Sequence, residues 1–464
     1  MKKLFGTDGI RGVVNKILTP EIAFKCGRAI GITKPDSKVV VAKDTRISGD
    51  MLMCALVSGL VSQGVDVDIL GLSSTPALAS ITKDSYDFGV MITASHNPYF
   101  YNGIKIFDKT GNKLSDTEED SIEEIISNID KYSYVSCDDI GDINYKEDLI
   151  YKYVSFIKSK LNKDFYNLKI CIDTANGGAV EIAKKVFAKE KFLKVSFINS
   201  STDGRKINQN CGATSLEMFK NYVISKDFDI GFAFDGDADR IMGVDNKGNI
   251  IDGDDILFLL LNSKINLEKN TIVGTVMTNM GLEEYLKQKG INLKRVAVGD
   301  KYIKQCMVTE GFSLGGESSG HIITNENCTG DAVYVTTQIL NILEESKKSA
   351  SQLLEKFYKY PSKLLNIEVQ ESIKNRLMQS SFFWDIIKKY ENVLNCEGRI
   401  YARASGTEPL IRILIEGKNL KDVEFVTNGL DCDIKKFKKL VWKKCLICYN
   451  IARGKNAIHN KKLV

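Results

Sequence analysis

Ser95 stands beside His96 in the run Thr93-Ala94-Ser95-His96-Asn97-Pro98, directly after the apolar stretch Phe88-Gly89-Val90-Met91-Ile92. A strand that ends in such a turn presents a serine hydroxyl at an exposed tip, where a covalent intermediate can form. Far downstream, Asp235, Asp237 and Asp239 alternate with small residues and lead into Arg240, behind the strand-like Ile230-Gly231-Phe232-Ala233-Phe234. In an extended segment or loop this spacing puts the three carboxylates on one side. They repel one another unless a hard cation neutralises them, and magnesium accepts such an oxygen set. An EF-hand does not fit, because its glycine and glutamate positions are occupied by Arg240 and Asn246. Serine, clustered carboxylates and arginine together point to phosphoryl chemistry.

Three further segments carry polar side chains on flexible backbone. Gly315-Gly316-Glu317-Ser318-Ser319-Gly320-His321 offers a carboxylate, hydroxyls and an imidazole, a set suited to the hydroxyls of a sugar. Arg403-Ala404-Ser405-Gly406-Thr407-Glu408-Pro409, with Arg412 close behind, has the makings of an anion clamp. It combines the planar arginine fork with hydroxyls and backbone amides. Near the start, Phe5-Gly6-Thr7-Asp8-Gly9-Ile10-Arg11-Gly12 allows tight turns that bring a basic residue to a phosphate. Lys105, just past the serine turn, is available as an acid or base.

The elements that must position these groups follow from the apolar patterning. Short apolar runs alternate with amphipathic stretches, which predicts βα units and mixed or parallel sheets. Val39-Val40-Val41-Ala42, Val65 to Leu70, Leu168 to Ile172 and Thr271 to Val276 read as strands, and Thr75-Pro76 as a helix start. A strand stopping in a polar turn before a helix recurs along the chain, which points to a weak triplication of one α/β unit. After about Pro361 the pattern changes to an α+β domain, with strands at Leu364 to Val369, Ile400 to Arg403 and Leu410 to Ile415. The expected fold is α/β: three similar domains with mixed sheets at 1–150, 151–250 and 251–365, and a smaller α+β domain at 366–464, around a central cleft.

At 464 residues the chain exceeds one hydrophobic core. Its 43% hydrophobic and 27% charged content is ordinary for a globular protein, and a net charge of +5 does not argue for a nucleic-acid surface. There is no signal-peptide pattern at Met1-Lys2-Lys3 and no apolar run long enough to span a bilayer, so a cytoplasmic protein is expected. The 11 cysteines, such as Cys26, Cys54, Cys171 and Cys306, are scattered singly like small buried hydrophobes. Cys445 and Cys448 alone form a Cys-x-x-Cys, without the second pair a zinc site needs.

These segments occur in the order found in the α-D-phosphohexomutases, and the chain resembles that family up to about residue 420. The runs FGTDGIRG, TVMTNMGL (Thr275 to Leu282), VGDKY (Val298 to Tyr302) and GGESSGH are most similar to the branch acting on glucosamine phosphates. Mannose and glucose relatives typically carry methionine where Ser318 stands. The resemblance implies an intramolecular phosphotransfer between the 6- and 1-positions of a hexosamine, feeding amino-sugar nucleotide synthesis. It implies that Ser95 is a phosphoserine, and that Ser95, Asp235, Asp237 and Asp239 hold one magnesium ion per chain. Arg11, Lys105, Arg240 and His321 would then assist proton transfer or charge stabilisation, and Glu317 and Ser319 would hold sugar hydroxyls. Arg403, Ser405, Gly406, Thr407 and Arg412 would grip the phosphate that is not transferred, on a C-terminal domain able to close and exclude water. A hexosamine 1,6-bisphosphate is the implied intermediate or activator, in a monomer or homodimer with no nucleic-acid or membrane partner. A phosphomannomutase or phosphoglucomutase, or a magnesium-dependent sugar phosphatase, is the alternative.

Two departures stand out. Ala404 replaces the proline usual in relatives, which frees φ in the clamp loop. Past about Lys421 the acidic, alanine-rich terminal helix of relatives gives way to Lys435-Lys436-Phe437-Lys438-Lys439, with no acidic residue after Asp433. This end is expected to be an atypical basic tail.

Overall fold

The computed structural model describes residues 4–436 except Thr7, Asp84, Lys163, Tyr166, 189–193, Lys264 and 406–408. The chain divides into two compact units: residues 1–278 with 286–357, and residues 279–285 with 358–464.

The first unit is built on three mixed sheets. Strands β1 (Phe5–Gly6), β2 (Gly9–Val13), β3 (Lys38–Lys43), β4 (Asp66–Leu72), β5 (Phe88–Ile92), β6 (Tyr101–Asp108) and β7 (Ile143–Tyr145) form a sheet of order β1-β2-β6-β5-β3-β4-β7. Strands β8 (Lys169–Asp173), β9 (Lys194–Ile198), β10 (Ile230–Phe234), β11 (Ile241–Asp245) and β12 (Ile250–Ile251) form a second, of order β12-β11-β10-β8-β9. Strands β13 (Thr271–Thr275), β14 (Asn292–Val296), β15 (Leu314–Gly316) and β16 (Ile322–Thr324) form a third, of order β14-β13-β15-β16.

One four-strand pattern underlies all three. Two parallel strands pair, a third joins the first in parallel, and a fourth returns antiparallel against the third. The predicted triplication is therefore a repeated topology. Its consequence for chemistry is direct: the Ser95 turn joins β5 to β6, the Asp235–Arg240 turn joins β10 to β11, and the Glu317–His321 turn joins β15 to β16. Three motifs far apart in sequence are one loop, used three times, at the carboxyl end of a parallel strand. Ligand sites of open α/β sheets form at such ends.

The parallel strands are apolar on both faces because helices cover both. Val39 and Val41 belong to one core, while Val40 and Ala42, facing the other way, belong to a second. Helix Thr75–Thr82 begins where Pro76 predicts, capped by the Ser74 hydroxyl. Cys26 and Cys171 are buried as expected, whereas Cys54 lies exposed on helix Gly49–Val61.

The second unit carries β17 (Ser362–Glu368), β18 (Gly398–Ala404) and β19 (Leu410–Gly417) as an antiparallel sheet of order β17-β19-β18. Its core takes Ile411, Ile413 and Ile415 from β19 and Val423, Val426, Leu430 and Ile434 from the helix at 420–436. That spacing of three and four residues is a helical apolar face. The departure from the relatives' helix composition thus leaves an amphipathic packing helix intact up to residue 436. The basic stretch from 437, with Cys445 and Cys448, lies outside the described residues.

Candidate functional site

Ser95 sits in a left-handed conformation, φ +50°, which costs free energy for a residue with a Cβ. Several bonds hold it there. The Thr93 hydroxyl accepts from the Ser95 amide at 2.9 Å, and Asn208 Nδ2 donates to the Ser95 carbonyl at 2.8 Å. Arg46 does most: its guanidinium donates to the carbonyls of Ser95 (2.8 Å), Asn97 (2.8 Å), Pro98 (2.6 Å) and Tyr101 (3.0 Å), while Nε donates to Asp44 (2.9 Å). Asp44 also accepts from the Thr93 hydroxyl at 2.6 Å. The expected exposed tip is instead buried, with Ser95 only 1% exposed. The Asp235–Arg240 loop and the Arg46 frame close over the turn, which isolates the hydroxyl from bulk water.

The Ser95 hydroxyl donates to Asp235 at 2.5 Å. One oxygen each of Asp235, Asp237 and Asp239 lies within 4.8 Å of the others, and all three side chains are buried. Asp237 Oδ1 and Asp239 Oδ1 have no hydrogen-bond partner in the protein. Buried orphan acceptors of like charge are costly unless a cation receives them. Burial and the charges of Asp239 and Asp237 hold the Asp235 carboxyl well above the usual range. Asp239 is held well below it, because Lys105 and His321 outweigh the effect of burial. An all-oxygen, buried, like-charged set fits magnesium, with the Thr75 hydroxyl tying Asp237 in place at 2.5 Å.

Lys105, on β6 and almost fully buried, donates to Asp237 at 2.8 Å and Asp239 at 2.9 Å, and lies 3.2 Å from Asp8. Burial opposes its charge, but these carboxylates keep its pKa well above the ordinary value. Arg11 pairs with Asp8 on the β1–β2 turn, where Gly9 at φ +79° could not carry a side chain without striking the Ile104 carbonyl. Arg240 Nε lies 3.9 Å from Asp239, and both Arg11 Nε and Arg240 Nε are buried without a hydrogen-bond partner. Buried guanidinium donors without a partner are what an incoming phosphate would use. His96 Nδ1 is 3.4 Å from the Ser95 hydroxyl. Burial, Arg240 and Arg11 lower its pKa to about 4, so it is neutral at physiological pH.

In the third repeat, Gly320 at φ +90° brings the loop against the Ile241 carbonyl, leaving no space for a Cβ. His321 Nδ1 lies 3.7 Å from Asp239 and Nε2 3.6 Å from Asp300. Burial disfavours its cation, yet Asp300 and Asp239 raise its pKa; the Gly330 amide, aimed at the Nε2 lone pair at 3.0 Å, works against protonation there. Glu317 accepts from the Gly299 amide at 2.9 Å and from Ser319 at 3.3 Å.

The second unit holds the other basic motif. Arg403 on β18 and Arg412 on β19 are cross-strand partners, so two guanidinium groups share one face of the sheet. Arg403 Nε is buried without a hydrogen-bond partner, and buried Lys374 donates to the Ser405 carbonyl at 2.7 Å. Gly406 and Thr407 lie outside the described residues.

Four domain profiles match the chain in order. Residues 2–133, 149–248 and 252–360 match phosphoglucomutase/phosphomannomutase alpha/beta/alpha domains I, II and III, and residues 364–426 match the C-terminal domain. The chain belongs to the phosphoglucomutase/phosphomannomutase family. The family resemblance read from the motifs is borne out. This family member is 45% identical over 436 residues to a phosphoglucosamine mutase of Caldicellulosiruptor saccharolyticus, covering 91% of this chain and 97% of the relative. It is 44% identical over 442 residues to that of Clostridioides difficile, covering 92% and 98%. A crystal structure of a phosphoglucomutase/phosphomannomutase family protein from Burkholderia thailandensis shares the fold at TM-score 0.78 and 24% identity, covering 94% and 98% of the two chains. So does an Aspergillus fumigatus N-acetylphosphoglucosamine mutase, solved with GlcNAc-6P and magnesium, at TM-score 0.60 and 17% identity, covering 94% and 96%.

Within this phosphohexomutase site, the structure adds residues that motif reading left without a role. Asp8 and Asp300 sit inside quoted motifs, but nothing in either run shows which charges they meet. Arg46 and Lys113 lie in no motif. The available signal for Arg46 was its place just beyond a parallel strand's carboxyl end. Among the described residues, no helix is long and apolar enough to cross a membrane.

Proposed function

We propose that this chain is a phosphoglucosamine mutase, interconverting glucosamine 6-phosphate and glucosamine 1-phosphate through phosphoserine at Ser95. The observation that carries the chemistry is the Ser95 hydroxyl, framed by Arg46 and held 2.5 Å from a buried three-carboxylate cluster. The choice of sugar rests on curated relatives of that name at 44–45% identity over nearly their whole length.

In the forward direction, the sugar's C1 hydroxyl oxygen bonds to the phosphorus of phosphoserine as the bond from that phosphorus to Ser95 Oγ breaks. The hydroxyl proton passes to the site and one returns to Ser95 Oγ. The product, a hexosamine 1,6-bisphosphate, turns end for end, and Ser95 then takes the 6-phosphoryl group by the reverse exchange. Magnesium on Asp235, Asp237, Asp239 and a phosphoserine oxygen would neutralise the transferring group. Lys105, kept as an ammonium by its carboxylates, and the free donors of Arg11 and Arg240 stabilise charge on the moving oxygens, with His321 in reach for proton transfer. Glu317 and Ser319 hold sugar hydroxyls. Burial of Ser95 keeps water from intercepting a dissociative transition state. The reading includes one magnesium ion per chain, a cytoplasmic location, a monomer or homodimer, and division at about residues 150, 250 and 365.

Turnover rates on glucosamine, mannose and glucose 6-phosphates test it. Glucosamine 6-phosphate should be preferred, with little inorganic phosphate released; equal turnover of mannose 6-phosphate, or net hydrolysis, would overturn the assignment. Chelation of divalent cations should abolish turnover and added magnesium should restore it. Asp237→Asn should weaken magnesium binding, measured by calorimetry, by about tenfold or more. For the phosphate clamp, Arg403→Ala should raise KM about 30-fold, as loss of a charge-assisted bidentate contact implies, with a smaller change in kcat. An unchanged KM would remove Arg403 from the substrate set.

A further inference from the structure

Lys113 follows β6 and folds back on it through an antiparallel bridge to Phe107. Its ammonium contacts two carboxylates at once, Asp8 from the β1–β2 turn and Asp300 from the start of helix Asp300–Glu310. Asp8 in turn lies 3.2 Å from Lys105, and Asp300 lies 3.6 Å from His321. Lys105 and His321 then meet at Asp239, at 2.9 and 3.7 Å. The six side chains therefore close a ring of alternating charge: Lys113, Asp8, Lys105, Asp239, His321, Asp300. It draws on the first repeat for three members, the second for Asp239 and the third for two.

We propose that Lys113 is a positioning residue for the mutase reaction, fixing Lys105 through Asp8 and His321 through Asp300. The proposal rests on the phosphoglucosamine mutase reading. The geometry favours a positional role, because the ion pairs of Lys113 are with Asp8 and Asp300 rather than with the carboxylates that surround Ser95. Its two partners are shared with the two groups on which charge and proton handling depend. Without Lys113, Asp8 and Asp300 lose the cation they share, leaving Asp8 with Arg11 and Lys105 and Asp300 with His321. Each then moves toward its remaining cation or toward water, and the ring loses its shape. Burial weakens the Lys113 cation, but Asp300 and Asp8 more than offset this and its pKa is raised, so the charge is present throughout the working pH range. On its outer side Lys113 lines a cavity of about 260 Å³, together with Asn112, Ser115 and Lys304, which leaves room for a bulkier guanidinium.

The test compares Lys113→Met, Lys113→Arg, Asp300→Asn and the Lys113→Met/Asp300→Asn pair with wild type, using glucosamine 6-phosphate and a hexose bisphosphate activator. Lys113→Met should lower kcat about 30-fold, with KM within about threefold, since small displacements of catalytic groups act on the transition state rather than on binding. Lys113→Arg should recover to within about fivefold of wild type, and the pair should be no more than about threefold slower than Lys113→Met, because residues acting through one another are non-additive. A Lys113→Met enzyme with wild-type kcat per folded molecule, judged by circular dichroism and melting, overturns the proposal by showing a structural role only. Multiplying losses in the pair also overturn it. Should Lys113→Met fail to fold, Asp300→Asn decides: a fall in kcat at constant KM supports the proposal and unchanged kcat overturns it. A wild type inactive on all three hexose 6-phosphates overturns the functional reading, and this inference with it. Activity in wild type with indifference at Lys113 overturns the inference alone.

Discussion

Ser95→Ala is expected to lose mutase turnover by about four orders of magnitude or more, the scale seen when a covalent nucleophile is removed. Ser95 is the hydroxyl held 2.5 Å from Asp235, whereas the neighbouring Thr93 hydroxyl is engaged with Asp44. The variant should still fold, since the turn is fixed by backbone carbonyls and the Thr93 side chain, none of which the substitution removes. Its φ of +50° suits alanine no worse than serine. Magnesium and sugar-phosphate binding, followed by calorimetry, should therefore persist. Intact-mass measurement should show a phosphoryl adduct on wild type, removed by a phosphatase, and no adduct on Ser95→Ala. Wild-type-like activity in the variant would refute the phosphoserine mechanism outright.

Arg46→Met should be the most damaging single change outside the reacting groups. The guanidinium is buried and makes five hydrogen bonds, four of them to carbonyls of the Ser95 turn and one to Asp44. Removing one partner of a buried, hydrogen-bonded ion pair costs about 3–5 kcal/mol, because the remaining charge and the carbonyls are left without partners. Asp44 is already pushed up by burial, with Arg46 as the main influence in the other direction, so without the guanidinium only the Thr93 hydroxyl and a backbone amide would oppose that burial. In a domain of this size the apparent melting temperature should fall by about 10 °C. Among molecules that stay folded, phosphorylation of Ser95 should slow by about a hundredfold, since the left-handed turn loses the contacts that hold it. Lysine cannot substitute: a point ammonium does not span carbonyls that a planar fork reaches together. A variant that melts with wild type and phosphorylates normally would show that the turn holds itself.

Much of this arrangement was readable in the chain. The three aspartates, the serine turn and the glycine-rich loop at 315–321 announced themselves because their chemistry is local: charge spacing, turn residues and a preceding apolar run lie within a few positions of one another. Strand and helix starts followed for the same reason, as at Pro76 and at Val39 to Ala42. The exposure of Ser95 did not follow. A turn after a strand is a surface feature until other loops cover it, and the loops that do so begin near Asp44, Asn208 and Asp235.

The chain by itself determined which groups exist and which local conformations they prefer: a serine in a turn, clustered carboxylates, arginines paired with glycines. It also determined the rhythm of strand, helix and returning strand that makes the unit repeat. Only the tertiary structure decided that the three motifs are one loop position in three copies of that unit, and so share a site. It alone closed the ring through Lys113, Asp8 and Asp300, and wrapped the Arg46 guanidinium around the serine turn. The physical reason is that burial and charge compensation depend on distances between residues far apart in the chain, and such distances exist only once the sheets have packed.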